Sequence, residues 1–260
     1  LSEFLSPNVN QRTDEWGGSI ENRSRLLITT IEAIRDKVGV NFPISVKLNS
    51  SDFQKGGFSH EESIEVAKML NNTSLDLLEI SGGTYENFTA LEIDSLNLKK
   101  AKTIKPQRST KVREAYFLKY AEAIKEVISI PLAVTGGFRS TEGMNHALQS
   151  GACDVIGLGR PLCSEPDIIN ELISGEKKSA TLYENMLEFG PWILGLNSPI
   201  SLMRSNNKAA QVYWCYRQIL KIADGNEVDT KLGLFKAFLD HFRDDSANSK
   251  KYKAFWKDLD

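Results

Sequence analysis

Four runs rich in β-branched and aliphatic residues, each followed in turn by a helical pattern, constrain the fold of this chain more than any other feature. The predicted strands are residues 43–48, 77–81, 131–135 and 154–158. Strand–helix units in series require right-handed crossovers, which produce a parallel sheet covered by helices. The sequence therefore predicts an α/β fold, and four such units would supply half of an eight-stranded (β/α)8 TIM barrel.

Start and stop signals mark the predicted helices. Ser19 and Gly39 bracket a helical pattern over 22–38, and Ser59 with Glu62 forms a capping box before a helix that runs to Leu70. Further helical patterns cover 113–128, 140–149 and 166–174, and after residue 177 they recur at 212–223 and 235–242. We predict a barrel region over 1–176 and a C-terminal helical extension over 177–260, which ends in a solvated Ser/Lys-rich tail.

Composition excludes several classes of protein. The 260 residues are 41% hydrophobic and 25% charged with a formal net charge of −2, so the chain is globular and no global charge favours nucleic acid or an anionic membrane. No apolar run is long enough to span a bilayer, and the first residues lack a signal-peptide pattern. Three cysteines are too few for a disulfide framework, so we expect a cytoplasmic protein. Because no initiator Met is present, we expect the chain to be a fragment.

Two glycine turns follow the third and fourth predicted strands. Gly136 and Gly137 end the first, and Gly159 with Arg160 ends the second. Glycine lets backbone N–H groups approach an anion, and arginine adds a permanent charge with a forked geometry. Tight strand-to-helix packing is the alternative explanation for the glycines, but Arg160 at a strand end favours an anion. The turns therefore predict a phosphate site.

Lys47 is the side chain most suggestive of chemistry, because it interrupts a strand of isoleucine, valine and leucine. An unpaired buried charge is costly, so the ammonium should face either a cavity or an acidic partner such as Glu79 on the next strand. The three histidines lack the spacing of metal ligands, and we predict no metal site.

Several motifs resemble the Old Yellow Enzyme family of FMN-dependent oxidoreductases, and they look closest to its NADH:flavin oxidoreductase branch. They cover about the first two-thirds of the chain. The motifs are Gln11-Arg12-Thr13-Asp14-Glu15-Trp16-Gly17-Gly18-Ser19, Glu21-Asn22-Arg23-Ser24-Arg25, Val46-Lys47-Leu48-Asn49, Glu79-Ile80-Ser81-Gly82-Gly83, Thr135-Gly136-Gly137-Phe138 and Gly157-Leu158-Gly159-Arg160-Pro161-Leu162.

The resemblance implies that these strands are the fifth to eighth of a barrel with FMN across its mouth. Gly136, Gly137, Gly159 and Arg160 would then hold the FMN phosphate, and Lys47 would lie beside the flavin pyrimidine edge. It also implies a reaction in which hydride passes from NAD(P)H through FMN to a small-molecule alkene conjugated to a carbonyl. The family's proton donor and substrate-gripping residues lie upstream of Leu1. The charged residues matched near the start are interpreted as a structural network: Arg12, Asp14, Glu21, Arg23 and Arg25.

Half a parallel barrel would leave strand edges and an apolar interior open. We therefore expect completion either by the upstream half of the same polypeptide or by a partner, as in a homo-oligomer.

Alternative functions are another phosphate-binding barrel enzyme, such as a dihydroorotate-dehydrogenase-like or dihydrouridine-synthase-like flavoprotein or a sugar-phosphate isomerase, and a non-catalytic remnant. We expect the segment 84–112 to cover the mouth of the site. The sequence leaves the choice between NADH and NADPH open.

Overall fold

A four-stranded parallel sheet organises the first of two units, Leu1–Leu158 and Gly159–Asp260, into which the chain divides. The structure is a computed structural model that describes residues 1–52, 54–81 and 118–257. The strands lie side by side in chain order. They are β1 (Ser45–Asn49), β2 (Leu77–Ser81), β3 (Leu132–Thr135) and β4 (Val155–Gly157).

Five helices of this unit are described, and their ends follow the predicted signals. They are α1 (Ser2–Leu5), α2 (Ile20–Val38), α3 (His60–Leu70), α4 (Leu118–Lys125) and α5 (Thr141–Gln149). Ser19 caps α2 through its side chain, and Gly39 ends the helix with a φ of 79°. The capping box of Ser59 and Glu62 is present at α3. The predicted helix over 113–128 is confirmed for Leu118–Lys125, while residues 113–117 lie outside the described part.

The helices α2 to α5 cover the same face of the sheet. Alternate strand residues, including Leu48, Leu78, Ile80 and Val134, join residues of α2 to α5 in one buried core. A right-handed crossover between neighbouring strands places each helix on the same side, whereas a doubly wound sheet reverses its strand order and has helices on both sides. The strands here keep their chain order, and the predicted parallel α/β fold is confirmed.

The second unit is helical in its described residues. It contains α6 (Arg160–Ser164), α7 (Ile168–Ser174), two 3₁₀ turns (Tyr183–Asn185 and Trp192–Leu194), α8 (Ser201–Ala223) and α9 (Leu234–Lys257). Trp214 of α8 is buried, donates from Nε1 to the Leu232 carbonyl at 2.8 Å, and stacks on Tyr183. Two long helices thus make up most of the described residues from Ser201 onward.

Two local predictions differ from the structure. The Ser/Lys-rich end is exposed as predicted, but it is the last part of a helix that continues to Lys257 rather than an irregular tail. The predicted fourth strand is shorter by one residue at each end, and the carboxylate of Asp154 accepts the Leu132 N–H at 2.7 Å and pairs with Lys125. The boundary at 176/177 stays a prediction, since the contact-based division falls at 158/159.

None of the described helices is long and apolar enough to cross a membrane. The segment 84–112 and the glycines at 82 and 83 lie outside the described residues.

Candidate functional site

The face of the sheet opposite the helices carries polar side chains near the carboxyl ends of the strands. Lys47 of β1 lies directly beside Glu79 of β2 in the parallel register, and its Nζ is 2.7 Å from Glu79 Oε1. The Lys47 side chain is 53% exposed and that of Glu79 28% exposed. Of the two interpretations left open by the sequence, the structure shows the acidic partner, and the ammonium remains open to solvent as well.

Glu79 also hydrogen-bonds Thr135 on β3, so a polar chain of three side chains crosses three strands. Partial burial raises the pKa of Glu79, but the hydrogen bonds from Lys47 and Thr135 and the charge of Lys47 outweigh it. The pKa of this carboxyl therefore lies below its usual range. Glu79 stays ionised at neutral pH and holds Lys47 in place on this face.

The predicted glycine turn after β3 has backbone angles that require glycine. Gly136 has a φ of 138° and Gly137 a φ of 83°, which side-chain-bearing residues rarely adopt. Phe138, 1% exposed, fixes the turn in the core, and Ser140 caps α5 by accepting the N–H of Gly143 at 3.1 Å. The turn therefore presents main-chain groups at the edge of the sheet from a rigid position.

Gly157, the last residue of β4, is required to be glycine by packing, because a side chain there would collide with Thr135. It pairs with Thr135, and a Cβ built on it would lie 1.7 Å from Thr135 Oγ1 and 2.8 Å from Thr135 Cβ. Gly159, two residues later, is different, since a Cβ there would meet no atom within 4 Å among the described residues. The packing interpretation thus accounts for Gly157 and not for Gly159.

Gly159 and Arg160 belong to the second unit. Gly159 is the N-cap residue of α6, and Arg160 is its first residue. Arg160 Nη1 lies 3.3 Å from Glu184 Oε1, with side-chain exposures of 37% and 22%. In this unit Arg160 thus pairs with a carboxylate, and its predicted contact with a phosphate stays a prediction.

The charged residues near the start of the chain make local ion pairs and hydrogen bonds. Arg23 is 4% exposed, donates to the carbonyls of Leu5 and Gly18, and pairs with Glu62. Arg12 pairs with Asp14. These bonds tie the loop before α2 to its neighbours, and a single network of the five charged residues after a fourth barrel strand stays a prediction.

Two residues of the candidate site were not singled out from the sequence. Thr135 ends a strand before a glycine pair, a position at which a polar residue could have been recognised. Glu184 lies in an irregular stretch with no periodicity, and nothing in the sequence relates it to Arg160. Among the described residues, no group of histidine, cysteine and acidic side chains could hold a metal ion.

Comparison with known proteins identifies the family. The model of the NADH:flavin oxidoreductase / NADH oxidase family matches residues 1–179. An NADH-dependent flavin oxidoreductase, nadA of Aspergillus parasiticus, is 38% identical over 183 residues, which is 70% of this chain and 38% of that protein. The iliE protein of Neonectria sp., described in the same words, is 35% identical over 194 residues, 74% of this chain and 24% of that protein.

A solved structure agrees with the sequence comparison. A 2-naphthoyl-CoA reductase in complex with 2-naphthoyl-CoA superposes with a TM-score of 0.56 at 30% identity, covering 67% of this chain and 24% of that chain. The chain therefore spans well under half the length of these relatives. The family uses FMN as its cofactor and NAD(P)H as its reductant. Since the family model covers more than half of the sequence, the chain belongs to the NADH:flavin oxidoreductase / NADH oxidase family.

Proposed function

We propose that this chain supplies the phosphate end and the pyrimidine edge of an FMN site in an oxidoreductase that passes hydride from NAD(P)H through FMN to an activated alkene. The observation that carries the proposal is the glycine pair Gly136–Gly137. Both residues have positive φ and follow directly on a parallel strand, at the edge where α/β sheets bind their ligands. FMN, when bound, would accept the hydride and deliver it to the substrate.

The phosphate would be bound by main-chain groups and one guanidinium. The positive-φ backbone at Gly136 and Gly137 fits the close approach of an anion, and the open space at Gly159 fits it as well. Arg160 carries five N–H donors, so its contact with Glu184 leaves donors for a phosphate oxygen. The carboxylate of Glu184 would then orient the guanidinium.

Lys47 would act on the flavin ring by its charge. A cation near the pyrimidine edge stabilises the negative charge that develops there when hydride is accepted. Glu79 uses one of the three donors of the ammonium, which leaves two for a ligand. Because Glu79 is ionised, it also offsets part of the field of Lys47, and we infer that the pair together sets how readily the cofactor is reduced.

For the substrate, we propose a carbon–carbon double bond conjugated to a carbonyl or thioester. The name of the structural relative supports this class, because 2-naphthoyl-CoA carries ring double bonds conjugated to a thioester carbonyl. Among the described residues on this face of the sheet, we assign none to binding the carbonyl or to donating the proton.

We further propose that β1–β4 are strands five to eight of an eight-stranded barrel. Within the described residues, β1 and β4 are edge strands, and Val155 on β4 is 44% exposed. Parallel sheets are normally buried on both faces and closed or flanked at their edges. The remaining strands would come from an upstream half of the same polypeptide or from a partner chain, with 1–176 as the barrel part and 177–260 as the helical extension.

The test is an FMN titration of the purified chain, followed by absorbance, with the molar mass measured by light scattering on the same sample. We expect flavin binding only in an assembled species or after addition of the missing half. A monomer that binds FMN tightly at one-to-one stoichiometry would refute the half-barrel proposal. No binding in any assembled form would refute the FMN site and favour a non-catalytic protein.

Two variants of the flavin-bound form separate the proposed roles. Arg160→Ala should weaken FMN binding by about 10- to 100-fold, the effect of losing a charge-assisted contact. Lys47→Met should leave binding within a few-fold while slowing the anaerobic bleaching of FMN by NADH or NADPH. Arg204→Ala is the matched control, since Arg204 bonds only a nearby carbonyl in the described contacts. Equal effects of Arg160→Ala and Lys47→Met would contradict the assignment.

A further inference from the structure

Two of the three cysteines lie together in the second unit. Cys163 is on α6, Cys215 is on α8, and the two helices pack against each other. Each thiol shifts the pKa of the other, so the two side chains lie near each other, and both residues are partly exposed. Cys153, by contrast, is 2% exposed in the core of the first unit. The chain therefore holds one accessible thiol pair and one inaccessible single thiol.

The surroundings of the pair make its two members unequal. Arg160 lies one helical turn before Cys163 on α6, and the Sγ of Cys163 is 3.9 Å from the carbonyl of Gly159. The hydrogen bond from Cys215, which outweighs partial burial, and the charge of Arg160 lower the pKa of Cys163 to about 7. The same hydrogen bond and burial raise the pKa of Cys215. Cys163, beside Arg160, is thus the thiol of the pair that ionises more readily.

We propose that Cys163 and Cys215 are a redox-active dithiol that closes to a disulfide when it meets hydrogen peroxide, linking α6 to α8. This proposal does not depend on flavin binding. A thiolate is the form of cysteine that reacts with peroxide, and a neighbouring second thiol resolves the product before further oxidation. Both requirements are met by two neighbouring thiols on helices that pack together, so closure requires the two sulfur atoms to move into bonding distance.

The chemistry balances with peroxide as the sole oxidant. The Cys163 sulfur attacks one peroxide oxygen, the O–O bond breaks, and hydroxide leaves and takes up a proton to become water. Cys163 then carries a sulfenic acid. The Cys215 sulfur attacks the Cys163 sulfur, the S–O bond breaks, and a second water leaves. Two thiols are oxidised by two electrons in total, and one peroxide is reduced to two waters.

The position of the pair gives the disulfide a structural consequence. The bond would join the short helix that begins with Arg160 to the long helix α8, across the intervening residues 164–214. A cross-link that closes a long segment restricts the unfolded chain, so oxidation should raise the unfolding midpoint of the second unit. Reduction by a dithiol would reverse the change.

The experiment treats the reduced full chain with hydrogen peroxide at neutral pH and maps its peptides without reductant. We expect a linked peptide containing Cys163 and Cys215, with the loss of two hydrogens. In Cys215→Ser, where the resolving thiol is missing, dimedone should label Cys163. In Cys163→Ser, neither the disulfide nor labelling of Cys215 should appear. Cys153→Ser is the control and should form the same disulfide as the parent chain.

A second measurement needs no substitution. The unmodified chain is alkylated with iodoacetamide at pH 7, and the rate is followed at each cysteine. Burial raises the pKa of Cys153 to about 11, so its thiolate is scarce at this pH. We expect Cys163 to react at least about 100-fold faster than Cys153. Similar rates at the two positions, or peroxide oxidation of Cys163 to higher acids without a disulfide in the parent chain, would overturn the proposal.

Discussion

Replacing Gly157 with alanine should destabilise the first unit by about 2 kcal/mol, because the new methyl group would occupy space already filled by Thr135. The added Cβ would lie 1.7 Å from Oγ1, 2.8 Å from Cβ and 3.3 Å from Cα of Thr135. Rotating the Thr135 side chain relieves the first contact at the expense of its hydrogen bond to Glu79. The second contact remains, since Cβ is fixed by the backbone, so β3 and β4 must separate. Overpacking of this kind costs about 1–3 kcal/mol.

A second substitution shows whether Thr135 is the cause. Thr135→Gly removes both side-chain atoms that the new methyl group would meet, while glycine in a strand costs about 0.5–1 kcal/mol by itself. In the double variant, Gly157→Ala should then add little further destabilisation, so the two substitutions should couple favourably by at least about 1 kcal/mol. Gly159→Ala is the matched control. Its φ is −111° and its surroundings are open, so we expect a change within about 0.5 kcal/mol.

The assay is urea unfolding followed by far-ultraviolet circular dichroism for the parent chain, the three single variants and the double variant. Free energies of unfolding come from linear extrapolation, and equal slopes show that the unfolding transition is unchanged. The reasoning is refuted if Gly157→Ala and Gly159→Ala have the same effect. It is refuted equally if Thr135→Gly fails to rescue Gly157→Ala.

Three further predictions concern other contacts. Arg23→Met should cost about 3–5 kcal/mol in urea unfolding, because it leaves a carboxylate and two carbonyls without their buried partner; a cost below about 1 kcal/mol would contradict this. Trp214→Phe should cost about 1–2 kcal/mol by removing the hydrogen bond to Leu232, and an unchanged unfolding midpoint would show that bond to be unimportant. The hydrogen bond from Lys125 lowers the pKa of Asp154, so its contribution is complete above the unfolded-state pKa, about 3.9, and is lost as pH falls through the folded-state pKa. Asp154→Asn should therefore reduce the loss of stability between pH values of about 4 and 2, as measured by thermal unfolding, and an unchanged acid profile would exclude the carboxylate as its source.

Local signals were sufficient for the elements of the first unit. A cap such as Ser19 or the box at Ser59 acts within one turn of helix, so its effect can be inferred from residues three apart. The cores of the strands could be predicted equally well, because an apolar β-branched run between two helical patterns has few alternatives to a buried strand. The shortening of the fourth strand and the helical C-terminal end were harder to predict from the sequence. The ends of a strand are set by its pairing with the neighbouring strand, and the polar residues at the C-terminal end have a pattern that does not distinguish an exposed helix from coil.

By itself, the sequence determined that this chain builds a parallel sheet covered by helices, and that glycines and Lys47 stand near the carboxyl ends of its strands. It also determined the family, through motifs that are contiguous along the chain. Only the tertiary structure decided which groups meet. The pairing of Lys47 with Glu79 needs the register of two strands, and the contact of Cys163 with Cys215 needs the packing of two helices. Such contacts join residues far apart in the chain, and their distances are set by packing in three dimensions, which no local pattern encodes.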